Sequence, residues 1–68
     1  MTTPAGIPII TATEKLNAIE REVRYRRRVY PRLISEGRMT DGFAATQIEI
    51  FEAIADDYRV PAAKERLL

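Results

Sequence analysis

The chain has 68 residues, a formal net charge of +1, 46% hydrophobic residues, and neither cysteine nor histidine. A chain of this length forms one small domain, buries only about 60% of the surface it exposes when unfolded, and cannot enclose a large core of its own. Without thiols and imidazoles there are no disulfides, no thiolate metal clusters and no histidine general base. The near-neutral total argues against a surface built wholly for nucleic acid.

Residues 1–10 hold two prolines, one glycine and three isoleucines, which predicts an extended N-terminal arm. A frayed terminus is the plain expectation. The alternative lays Ile7, Ile9 and Ile10 across a hydrophobic groove, because exposed isoleucines so close together are costly in water. Met1-Thr2-Thr3-Pro4 lacks a basic leader, and no apolar run approaches the roughly 20 residues that span a bilayer. The expectation is a soluble, cytoplasmic protein with no membrane partner.

The first predicted helix starts at Thr11, where Thr11-Ala12-Thr13-Glu14 matches the capping box. Ala12, Leu16, Ile19, Val23, Tyr30, Leu33 and Ile34 recur at helical steps and form one apolar stripe, while Ala18, Tyr25 and Val29 form a second line to one side. Two apolar lines imply more than one neighbour. Arg26 falls inside the stripe and either snorkels to water or meets an acid of the second helix. Glu20 with Arg24 and Glu22 with Arg26 are correctly ordered i,i+4 pairs. Pro31 interrupts the amide ladder while the stripe runs on, which predicts a kink. Gly37 suits a left-handed residue closing the helix after Glu36.

Thr40 is the natural N-cap of a second helix, with Asp41 at the positive end of its dipole. So short a link makes the helices antiparallel neighbours. Phe43, Gln47, Ile50, Phe51, Ile54 and Tyr58 read as its apolar stripe, widened by Ala44, Ile48 and Ala55. Pro61 predicts a stop after Arg59, leaving residues 60–68 as a tail or a short last helix. The fold class is all-α: an antiparallel two-helix hairpin over residues 11–59 with a kinked first helix, paired with a second copy into a four-helix bundle.

The segment Arg26-Arg27-Arg28-Val29-Tyr30-Pro31-Arg32, followed by Gly37-Arg38-Met39-Thr40 and an Ile-Glu-Ile-Phe-Glu-Ala-Ile stretch, resembles small helical-hairpin proteins encoded by tailed bacteriophages and prophages. The likeness covers roughly Ile19 to Arg59. Where such proteins often carry a tryptophan shortly after the proline, this chain has Leu33 and Ile34. The resemblance implies phage origin, a bacterial cytoplasm and a small accessory or host-directed role.

Glu49, Glu52 and Asp56 share one side of the second helix, but opposite the apolar stripe and without histidine partners, so they read as a solvated face. No catalytic, cofactor-binding or metal-ligating residue is assigned, and no enzyme activity is expected. The candidate partner-binding residues are Arg21, Arg24, Tyr25, Arg28, Tyr30 and Arg32, a basic strip interleaved with aromatic rings. The expected function is binding between proteins, of a host or phage partner, by a homodimer. The alternative is a nucleic-acid-binding accessory protein, since arginines and tyrosines can hold phosphates and stack on bases.

Overall fold

Two threonines open two helices. In the computed structural model, which describes residues 9–67, Thr11 Oγ1 accepts from the Glu14 amide at 3.1 Å, and the Glu14 carboxylate accepts from the Thr11 amide at 3.5 Å. Thr40 Oγ1 accepts from the Phe43 amide at 3.1 Å. The helices are α1, Ala12–Ser35, and α2, Asp41–Glu65, and among the described residues there is no strand. They form an antiparallel hairpin, the all-α fold that the sequence predicts. Of the expected arm, only Ile9 and Ile10 are described, and both are exposed; residues 1–8 lie outside the described residues.

α1 closes in a Schellman motif. The Arg38 amide donates to the Leu33 carbonyl at 2.9 Å and the Gly37 amide to the Ile34 carbonyl at 3.0 Å, with Gly37 at φ 73°. A Cβ at that φ would crowd the adjacent carbonyl, so glycine is the residue that lets the chain turn there.

Both prolines lie inside helices. α1 runs through Pro31 without a break. The expected stop after Arg59 is corrected: α2 continues through Pro61 to Glu65. An interior proline costs about 3 kcal/mol, so the last turn needs support from elsewhere. Two contacts give it. Ala62 is buried, and the Glu65 carboxylate reaches the start of α1.

The seam between the helices is built on small residues. Ala44, Ile48, Phe51, Ala55, Tyr58 and Ala62 follow one another in steps of four and three, the spacing that keeps one line of α2 turned to a neighbour. Ala44, Ala55 and Ala62 are buried. From α1, Val23 and Tyr30 are buried and Leu16 is half-buried. Tyr30 lines the same groove as Ala44, and Leu16 the same groove as Ala62, so large side chains of one helix meet alanines of the other. The sequence stripe of α2 is therefore rotated. Phe43 and Ile50, expected in the seam, stand outside it and are exposed, because they lie about 100° or more around α2 from the line of buried alanines.

A clasp joins the free ends of the hairpin. Glu65 accepts from the Ala12 amide at 2.9 Å and from the Thr13 amide and hydroxyl at 3.0 and 2.6 Å. With Thr11 taking the Glu14 amide, the first three amides of α1 are satisfied, two of them from the far end of the chain. A carboxylate is unfavourable at the C-terminus of its own helix and favourable at the N-terminus of another; the hairpin places it where the second effect operates. The Thr13 hydroxyl, then the Thr13 and Ala12 amides, hold the Glu65 carboxyl below its ordinary value of 4.5. The native state thus favours the ionised form. Its contribution is complete above that ordinary value and is lost as pH falls through the lower folded value. Thermal unfolding of Glu65→Gln should show a lower midpoint than the parent at neutral pH, with the difference shrinking on acidification; a difference independent of pH would mean that the charge plays no part.

Candidate interaction surface

Successive helical residues turn by about 100°, which places Arg21, Arg24, Arg28 and Arg32 within about a quarter of the circumference of α1, on the side away from α2. All four are exposed, and among the described residues none is in an ion pair. At 1.5 Å per residue the row is about 16 Å long. Tyr25 stands beside it, 51% exposed, with the Arg28 guanidinium carbon 5.6 Å from its ring centroid. Five of the six candidate residues thus share one accessible strip. Tyr30 does not belong to it. At 6% exposure its ring packs in the seam, because it lies on the stripe that faces α2, and its hydroxyl accepts from Arg26 Nη1 at 2.6 Å.

Arg26 takes neither of its two expected roles alone. Nε donates to Glu22 at 2.8 Å on the same helix, and the guanidinium carbon lies 4.3 Å from the Phe51 ring centroid on α2. The cross-helix partner is an aromatic face in place of an acid. The Tyr30 hydroxyl first and the Glu22 carboxylate second raise its pKa above the usual arginine value, against desolvation, so the side chain stays a cation. No buried side-chain polar atom among the described residues lacks a partner.

The hairpin has two unlike broad faces. On one, Arg27 meets Glu52 at 3.4 Å, and Arg59 bridges Glu52 and Glu20, each at 3.7 Å; Arg59 also pairs with Asp56. Glu20 therefore answers α2 in place of Arg24, and surface pairs of this kind contribute only about 0.2–1 kcal/mol. Toward the turn this face opens into an apolar groove of about 440 Å³ between Pro31, Ile34, Ala45 and Ile48. The other face carries Arg26 over Phe51 and Lys15 at 5.3 Å over Tyr58. The helical turn adds Ile19, Val29 and Leu33 from α1 and Ile54 from α2, all half-buried. Tyr25, Phe43 and Ile50, 51%, 55% and 47% exposed, lie toward its outer edges.

That apolar face is the feature the sequence reading missed on α2, having assigned Phe43 and Ile50 to the seam. Ala44 and Ala55, read from sequence only as widening the stripe, mark its centre together with Ala62, which falls in the expected tail. Among the described residues no cluster of three or more acidic side chains is close enough to hold a metal ion, and no helix is long and apolar enough to cross a membrane. Comparison with known proteins gives no matching family model, no similar curated protein and no similar solved structure.

Arg26 and Phe51 should be energetically coupled. A double-mutant cycle on Arg26→Ala and Phe51→Ala, read by denaturant unfolding, is expected to give about 0.5–1 kcal/mol of coupling beyond the single losses. A coupling of zero would reduce the stack to a coincidence of packing.

Proposed function

We propose that the protein is a non-enzymatic interaction module of phage type, a homodimer whose arginine row docks on an acidic surface of a host protein and blocks or redirects it. The observation that carries this reading is the unanswered row itself. Arg26, Arg27, Arg38 and Arg59 each have carboxylate partners, whereas Arg21, Arg24, Arg28 and Arg32 stand together, exposed, beside an exposed tyrosine. Arginine and tyrosine dominate binding hot spots because they combine apolar area with directed hydrogen bonds. The pairing into a four-helix bundle is supported by the poverty of the core. Among the described residues only Val23, Tyr30 and three alanines are buried, and no large side chain is fully so. A bend of α1 at Pro31 would let its two halves follow different neighbours in that bundle.

Nucleic acid is the second reading, favoured by the Arg28–Tyr25 stack, which offers a base both charge and a ring face. Phage origin and a place in the bacterial cytoplasm belong to the same proposal and rest on the sequence resemblance.

Tagged protein captured from a bacterial lysate, with and without nuclease, separates the readings. A nuclease-resistant protein partner is expected, lost when one or two of Arg21, Arg24, Arg28 or Arg32 are changed singly to alanine, by a tenfold or greater drop in affinity at about 1.4 kcal/mol per decade. Capture that disappears with nuclease, weakens with salt and falls by small equal steps for each arginine would replace this reading with the nucleic-acid one.

A further inference from the structure

We infer that the second copy docks on the broad face bearing Arg26 and Phe51, with the two hairpin turns at opposite ends of the bundle, so that Glu22 of each copy meets Arg26 of the other. This rests on the homodimer reading above and adds the face and the orientation.

The hairpin measures 48 × 26 × 14 Å between Cα extremes. Its least dimension is that of a single layer of helices, so each broad face meets either water or a partner. The two faces differ in what water does for them. One opens into the apolar groove only toward the turn and is laced over the rest by Arg27, Glu52, Arg59 and Glu20, which solvent accommodates as they stand. The other leaves Phe43 and Ile50 about half exposed on the same side of α2 as Ile54, and isolated chains rarely keep a large apolar area in water. A second copy covers it with an identical surface, which is what a twofold interface requires.

Charge then selects the orientation. The pairs Thr13–Glu65, Glu20–Arg59 and Arg27–Glu52 fix the level of every residue along the hairpin, and they put Arg24 level with Ile54 and Glu22 level with Asp56 and Asp57. If the turns met at the same end, α1 would lie over the partner's α2 and Glu22 would approach Asp57, Asp56 being turned to the other face with Arg59; like charges at an apolar interface are poorly screened. With the turns at opposite ends, α1 lies over the partner's α1. A twofold at the level of Arg24 then brings each Glu22 to the other copy's Arg26. The intrahelical pair at 2.8 Å becomes part of a closed network of four charges, with Tyr30 and Phe51 holding each guanidinium. Such a network specifies register more than it stabilises. The same axis brings Ile54 opposite its own copy. The two arginine rows then share one edge of the bundle, where exposed repulsion is screened by salt and the basic strip is doubled for its partner.

The native chain has no cysteine, so Ile54→Cys is a clean reporter. Helix axes about 10 Å apart, each with Cα atoms about 2.3 Å from its axis, leave about 5 Å between facing Cα atoms, within disulfide range. Mild oxidation of Ile54→Cys should give a covalent dimer, while Ala45→Cys on the charged face should not. Phe43→Asp, which changes a side chain exposed in the single hairpin, should keep helicity and weaken dimerisation at least tenfold by sedimentation. A dimer in sedimentation without the Ile54→Cys disulfide overturns the orientation. If Ala45→Cys cross-links instead, or Phe43→Asp dimerises like the parent, the face itself is wrong. A parent chain that sediments as a monomer at micromolar concentration removes the homodimer reading as well.

Discussion

The seam in which Ala44, Ala55 and Ala62 of α2 are buried together with Val23 and Tyr30 of α1, with Leu16 half-buried beside Ala62, is the constraint on which the rest of the hairpin depends. Small residues at steps of four and three let the backbones approach, and large side chains of α1 fill the remaining space. One effect is that the seam is narrow. A narrow seam buries few apolar atoms, so the large apolar residues of α2 are left outside it. The stability of the fold and the existence of an apolar outer face therefore have one cause.

The ends of the hairpin are held by hydrogen bonding in place of apolar area. At the turn the Schellman motif satisfies the Leu33 and Ile34 carbonyls of α1, and Thr40 the Phe43 amide of α2. At the open end Glu65 supplies what α1 lacks. The clasp also explains why α2 tolerates Pro61: the turn beyond the proline is anchored by Ala62 in the seam and by Glu65 on α1. Exposed ion pairs decorate one face but are each too weak to decide the fold. Arg26 is different because its contacts join three side chains and both helices.

Much of this was legible in the sequence. The capping box at Thr11, the cap at Thr40, the left-handed Gly37 and the α1 stripe all follow from local chemistry that the fold leaves intact. α2 was harder. A reading weighted by side-chain size centres its stripe on Phe43 and Ile50, whereas the fold centres it on alanines, whose value lies in how little space they take. The stop expected at Pro61 failed because a local rule was outweighed by a contact some fifty residues away, from Glu65 to Ala12 and Thr13. The sequence assigns Tyr30 both to the α1 stripe and to the binding strip; the first assignment, set by its phase with Val23, holds, and the second, set by its arginine neighbours, does not.

The central claim is that one hairpin is an unfinished unit whose apolar face is completed by a second copy. Folding and association are then linked, and stability must depend on protein concentration. Thermal unfolding followed by circular dichroism across a hundredfold range of concentration tests this directly. The account predicts a midpoint that rises steadily with concentration. A midpoint that stays constant over that range, with full helicity at the lowest concentration, would contradict it.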